Sequence, residues 1–250
     1  MKIQIYGERC SGTNYLEKLL VLNFQVEIIW DYGWKHFFGF ADLSGTDDVL
    51  FIGIIRGLND WANSLYRIKH HLPDSLRTDV RSFLENEFYS VDRSIGEIMT
   101  DRNMETNERY RNIFELRLTK NRWLTDRMPS LVKNYCLIIY EDLVSNFEAT
   151  MSRLQSFGLK PKLTEFQNII YYKGIKGREF IKRDNLFSIN MRVLPKELLE
   201  QEHKLFSVCP SSSTCIPLQL ALHGLSCIPQ VDDVQPNYSM KSQVPVVENT

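Results

Sequence analysis

A mostly parallel β-sheet flanked by helices, an α/β fold, is predicted by three features of this chain. Short apolar runs of strand length stand at residues 3–6, 49–55 and 135–140. Each is followed by a segment whose apolar residues recur at helical spacing. The run VLFIGII at 49–55 is apolar without alternation, as in strands covered on both faces. Strands that alternate with helices imply crossover connections, and crossovers imply parallel pairing.

Taken in order, residues 3–6 form a strand that enters a turn holding Gly and Ser, and residues 12–22 form the next helix. Residues 26–30 are a second strand candidate. The run 49–55 ends at Arg56, and helical spacing resumes over 58–69 until Pro73 and Asp74 break the chain. Residues 79–87 and 107–133 read as helices, the second long, charged and amphipathic. Residues 135–140 form another buried strand. A helix over 143–157 is closed by Gly158, a natural left-handed stop. Beyond Phe206 the pattern fades. Residues 210–214 are Ser-rich, and the tail from about residue 230 is polar and Pro-containing, a composition that disfavours a packed core. The expected division is a domain over 1–205 and an atypical C-terminal region over 206–250.

Composition excludes several classes. At 250 residues the chain can bury one substantial core. A net charge of −1 lacks the basic excess of a nucleic-acid binder. No run reaches the ~20 apolar residues that span a bilayer. The opening MKIQIYG reads as a strand entering a turn and not as a secretory leader. Five cysteines show neither paired metal spacing nor a disulfide framework, so a reducing, cytoplasmic setting is expected.

Two motifs carry chemistry. The first is Gly7-Glu8-Arg9-Cys10-Ser11-Gly12-Thr13-Asn14, between a strand and a helix. Its glycine spacing is that of a phosphate-binding loop (P-loop), with Thr13-Asn14 where an NTPase has Lys-Ser/Thr. Backbone N–H groups and the positive end of the helix still bind an anion there, although a tight strand-to-helix connection would use the same glycines. The second motif is Arg56 at the carboxyl end of a buried strand, with Ser64 eight residues on, two turns into the next helix. A guanidinium beside a hydroxyl suits a phosphate monoester, and an ordinary strand-end salt bridge would also explain Arg56.

Together these residues resemble the sulfotransferase family. Ser11-Gly12-Thr13 after an N-terminal strand resembles that family's 5′-phosphosulfate loop, and Arg56 with Ser64 resembles its 3′-phosphate motif. Tyr140-Glu141-Asp142-Leu143 is similar to the family's segment before a helix, and Lys173-Gly174-Ile175-Lys176-Gly177 to its late nucleotide-covering loop. The order of all four agrees over roughly residues 1–185, and the chain is closest in character to divergent bacterial, viral and algal members. The resemblance implies a sulfotransferase-like P-loop fold and 3′-phosphoadenosine 5′-phosphosulfate (PAPS) as donor, without a metal. It also implies transfer to a hydroxyl of a small-molecule or carbohydrate acceptor. By the same resemblance Arg9, Cys10, Ser11, Gly12, Thr13 and Asn14 hold the 5′ end, and Arg56, Ser64, Lys173 and Gly174 hold the 3′-phosphate. Cys10 departs from the family, which has Lys or Arg directly before Ser-Gly-Thr.

Lys35-His36 stands where family members carry a Lys and a catalytic His. A neutral imidazole can take the acceptor's proton, and an ammonium can support the leaving phosphate. Arg9, Lys35 and His36 are thus the catalytic candidates, with His70 and His71 as runner-up bases and His36 as a polar loop residue the alternative. Arg117 and Lys120, nearly one helical turn apart, read as an exposed charged face rather than a contact for an anionic acceptor. Glu141 and Asp142 are expected to cap the helix beginning near Leu143. Two rivals remain: a small-molecule kinase with Asp142 on Mg²⁺, and a nucleotide-binding relative without turnover.

Overall fold

The computed structural model describes residues 1–69, 71–169 and 183–206. Among these, a four-stranded sheet runs in the order β2-β1-β3-β6, with every neighbouring pair parallel. Its strands are β1 (Lys2–Tyr6), β2 (Glu27–Ile28), β3 (Val49–Ile55) and β6 (Tyr135–Ile139). β1 is followed by α1 (Thr13–Asn23), β3 by α2 (Leu58–Ile68), and β6 by α6 (Tyr140–Ser145) and α7 (Phe147–Gln155). A small antiparallel hairpin, β4 (Val91–Asp92) with β5 (Gly96–Glu97), lies between α3 (Val80–Glu85) and α4 (Ile113–Arg122). Among these residues no helix is long and apolar enough to cross a membrane.

The period-two geometry of a strand explains how the sheet is covered on both faces. Ile3, Ile5, Leu50, Ile52, Ile54, Cys136 and Ile138 pack with α1 and α7 on one side. Tyr6, Val49, Phe51 and Ile55 face Leu124, Met128 and Val132 on the other. A third apolar cluster joins α2, α3, α4 and α8 (Lys196–Phe206) around Trp61, Leu65, Phe83, Leu116 and Leu198. Gly53 interrupts the apolar run of β3 because a Cβ there would strike the Tyr135 hydroxyl. That hydroxyl donates to Leu124 O at 2.6 Å and ties β6 to the helical layer.

Several expected boundaries shift. The strand expected over 26–30 pairs only at Glu27 and Ile28, on the sheet edge. The long helix expected over 107–133 begins at Ile113, because Asn112 accepts from the N–H groups of Phe114 and Glu115 and caps it. It then widens into a π-turn at Trp123–Arg127 and ends with α5 (Met128–Leu131). The helix expected over 143–157 starts three residues early and breaks at Asn146. Gly158 is left-handed at φ 87°, as expected of a helix stop. Residues 170–182 and 207–250 lie outside the described residues.

From residue 186 the chain is pinned to α2 by asparagines that substitute for a neighbouring strand. Asn63, fully buried, accepts from the N–H groups of Leu186 and Phe187 and donates to Phe187 O. Asn59 accepts from Ile189 N–H. Asn63→Ala would leave the buried N–H and carbonyl of Phe187 unpaired, so it is expected to cost ~2–4 kcal/mol, read as a lowered urea midpoint. A loss under ~0.5 kcal/mol, the range of a neutral surface change, would contradict this role.

Candidate functional site

The strand order reverses at β1: the chain passes from β1 to β2 on one side, then to β3 on the other. In parallel α/β sheets a crevice opens at such a switch, outside the carboxyl ends of the strands. Two loops meet here, residues 7–12 after β1 and Arg56-Gly57 after β3. A Cβ on Gly7 would lie 2.7 Å from Ile54 O, so only glycine lets the first loop cross β3 this closely. Gly12 adopts φ +102°, and a Cβ there would meet the Tyr140 ring. Cys10, also left-handed at φ 67°, turns the chain between them.

This winding leaves donors without acceptors. Ser11 N–H donates to Glu8 O, and Tyr15 and Leu16 N–H to Gly12 O. Among the described residues the N–H groups of Cys10, Gly12, Thr13 and Asn14 have no protein acceptor, and Gly12 gives α1 no side-chain cap. Four free donors at the positive end of an 11-residue helix form an anion cradle. Burial pushes the Cys10 thiol up to about 12, against the pull of Arg9 and Arg56, so it adds no negative charge to the cradle.

Arg56 joins the cradle directly. Its Nη1 donates to Ser64 Oγ at 3.0 Å and to Cys10 O at 3.3 Å, and its guanidinium lies over the Tyr140 ring. Its Nε is buried and has no partner among the described residues. The Arg56 carbonyl accepts from Arg117, which is itself paired with Glu202 of α8. Glu141 does not cap its own helix; its Oε1 accepts from Gly57 N–H and so fixes the start of α2. Burial raises the Glu141 carboxyl, with that hydrogen bond opposing.

Lys35 and His36 lie against the same loop. Gly7 N–H donates to Lys35 O, and His36 Nδ1 is 2.7 Å from Gly7 O. A carbonyl only accepts, so Nδ1 carries the proton and Nε2 presents a lone pair. Burial drives the imidazole down to about 3, against the backbone hydrogen bond and Glu8, and it is therefore neutral in ordinary buffers. The Lys35 ammonium bonds Asn14 Oδ1 at 2.6 Å and Glu17 Oε2 at 2.9 Å, and lies 5.2 Å from the ring centres of both Trp30 and Trp34.

Arg9 lies elsewhere than the sequence suggested. Its guanidinium is bonded to Glu8 Oε1 at 3.1 Å and Asp101 Oδ2 at 3.0 Å, flanked by Phe37 and Phe88. It braces the loop from within a buried cluster. Lys120 completes that cluster, pairing with Glu8 and Asp101. Arg117 and Lys120 are thus not an exposed face: they are 3% and 2% accessible, and each has a buried carboxylate partner. Burial disfavours the Glu8 carboxylate, but Lys120 and Arg9 outweigh it and lower the group to about 2. His71 Nδ1 is 3.0 Å from Val91 O, and its ring meets Phe37 edge-on. His70, Lys173 and Gly174 lie outside the described residues. The roles of Glu8 and Asp101 were missed in the sequence and Lys120 was misplaced on the surface, since nothing marks a lysine and an aspartate 19 residues apart as partners. Among the described residues no cluster of His, Cys, Asp and Glu could hold a metal.

Comparison with family models, with curated proteins and with solved structures finds no match. The geometry therefore stands by itself: a backbone anion cradle, a guanidinium–hydroxyl pair touching it, and a neutral imidazole beside it.

The two depressed groups make the fold acid-labile. In the unfolded chain His36 takes its proton near 6.5, but in the folded one only near 3, so stability is full above about 6.5 and falls below it. Glu8 adds a second loss as the pH drops from about 4.5 through about 2. Each group contributes a slope of at most ~1.4 kcal/mol per pH unit. Urea midpoints measured from pH 7.5 to 4.5 should decline less steeply in His36→Gln than in the wild type. Parallel curves would contradict the burial of a neutral His36.

Proposed function

We propose that this chain is a PAPS-dependent sulfotransferase of P-loop type that moves a sulfuryl group to an acceptor hydroxyl. The observation that carries the reading is the contact of Arg56 with both Ser64 and the loop at Cys10. It makes one continuous anion-binding surface from two sequence motifs 46 residues apart. An NTPase needs only one phosphate locus along this edge. A donor phosphorylated at both its 3′ and 5′ positions needs two, and the cradle and the Arg56–Ser64 pair are two.

In this reading the N–H groups of Cys10, Gly12, Thr13 and Asn14 bind the 5′ end, and Arg56 and Ser64 bind the 3′-phosphate. PAPS supplies an activated sulfuryl group on a good phosphate leaving group. His36 Nε2 takes the proton of the acceptor hydroxyl, and Nδ1–H, held by Gly7 O, keeps that lone pair available. A bound anion would raise the imidazole and make it a stronger base than in the empty site. Lys35, bonded to Asn14 at the cradle's edge, supports the developing charge on the leaving phosphate. Arg9 braces the loop, a different part from the direct anion contact expected of it, and Lys173 and Gly174 enter only by the family resemblance. The acceptor is a hydroxyl of a small molecule or a carbohydrate.

Calorimetry with 3′-phosphoadenosine 5′-phosphate, the product, in the absence of Mg²⁺ tests this. A micromolar Kd, about −8 kcal/mol, is expected. Arg56→Ala should weaken it ~10- to 100-fold, the loss of a charge-assisted contact worth ~1.5–3 kcal/mol. Absence of binding, or equal and Mg²⁺-dependent binding of ATP, would overturn the reading in favour of a small-molecule kinase.

A further inference from the structure

Lys120 stands 84 residues from His36 in sequence, yet its ammonium donates to the His36 carbonyl at 2.7 Å. The same ammonium bonds Asp101 Oδ1 and forms an ion pair with Glu8 Oε2 at 2.7 Å. Asp101 is held in turn by Arg9 and by the Ser90 hydroxyl. The rings of Phe37 and Phe38 approach the ammonium to 5.9 and 5.4 Å. Three successive residues, 36 to 38, therefore wrap one buried cation through a carbonyl and two aromatic rings.

Stability alone does not ask for an ammonium in this place. Buried ion clusters are often matched or exceeded in stability by apolar side chains of similar volume. An apolar residue could not, however, hold a carbonyl. His36 is gripped from two sides: its carbonyl by Lys120, and its Nδ1 by Gly7 O. Both grips lead to the loop of residues 7–12, one through Glu8 and the other through Gly7 itself. Releasing the carbonyl would free the peptide to turn and the imidazole to exchange its Gly7 bond for another tautomer.

We infer that Lys120, seated by Asp101, is a positioning residue that fixes the His36 imidazole in its Nδ1–H form against the anion cradle. The catalytic consequence rests on the sulfotransferase reading, in which His36 Nε2 takes the acceptor's proton. The geometric claim does not.

Imidazole ¹⁵N spectra of the ligand-free protein decide it, since they distinguish the two neutral tautomers directly. The test compares the wild type with Lys120→Met/Asp101→Asn, which removes one charge of each sign and leaves the Glu8–Arg9 pair balanced. Lys120→Gln/Asp101→Asn serves as a control that keeps the same charge balance and a donor for the His36 carbonyl. The wild type and this control should show the Nδ1–H form alone, and Lys120→Met/Asp101→Asn a mixture of both. The Met variant's turnover with PAPS should fall ~100-fold, the scale of a misplaced catalytic group, while its melting curve stays cooperative. A folded Met variant in which His36 remains wholly Nδ1–H would overturn the inference. So would an equal mixture in the Gln control and the Met variant, because the carbonyl bond would then not matter. If 3′-phosphoadenosine 5′-phosphate binds neither protein, the functional reading fails while the spectra still decide the role of Lys120.

Discussion

Glu8, Arg9, Asp101 and Lys120 have side chains that are between 0 and 8% accessible, and they balance two negative charges against two positive ones. A carboxylate or ammonium removed from water costs several kcal/mol unless a partner compensates. None of the four can therefore move independently of the others. Two of them belong to the loop after β1, one to the short helical turn after β5 and one to α4, so their pairing brings three parts of the chain to one point. Trp61 of α2 adds a fourth by donating to Arg9 O. The backbone of residues 7–12 takes its shape over this cluster, with Gly7 and Gly12 supplying the close approaches that a side chain would block.

The rest of the site follows from that anchoring. With the loop fixed, the N–H groups of Cys10, Gly12, Thr13 and Asn14 are left facing no acceptor among the described residues at the start of α1. Arg56 reaches the loop from β3, and its carbonyl continues through Arg117 to Glu202, so α8 is linked to the cradle by a line of polar contacts. Glu141 binds Gly57 N–H from the neighbouring strand's end and places α2, hence Ser64, at a fixed distance from Arg56. A surface built this way is preorganised: its donors are aimed before any ligand arrives, which is what electrostatic stabilisation of a transferring group requires.

Much of the fold was legible because its signals are local. The apolar runs at 3–6, 49–55 and 135–140 became β1, β3 and β6 almost unchanged, and the helices after them started near the expected residues. The glycine pair of the first loop and the eight-residue interval from Arg56 to Ser64 were legible for the same reason, since a turn and two helical turns are short-range geometry. What escaped was long-range. Lys120 and Arg117 lie on a helix whose many charges look like a solvated face. Only the fold brings Asp101 and Glu202 to them, 19 and 85 residues away. Nothing local announces that Arg9 bonds Asp101, 92 residues on. The start of α4, by contrast, was a local signal passed over: Asn112 stands at the cap with Glu115 three residues later, and it accepts from the N–H groups of Phe114 and Glu115.

The central claim is that the backbone of residues 10–14 is an anion cradle shaped by the cluster beneath it. Amide ¹H–¹⁵N spectra recorded during titration with 3′-phosphoadenosine 5′-phosphate test it most directly. The account predicts large downfield shifts of the Cys10, Gly12, Thr13 and Asn14 amides, as each gains a charged acceptor, with Ser11, already bonded to Glu8 O, moving less. Saturable binding that leaves these four amides in place, or no shift at all, would contradict it.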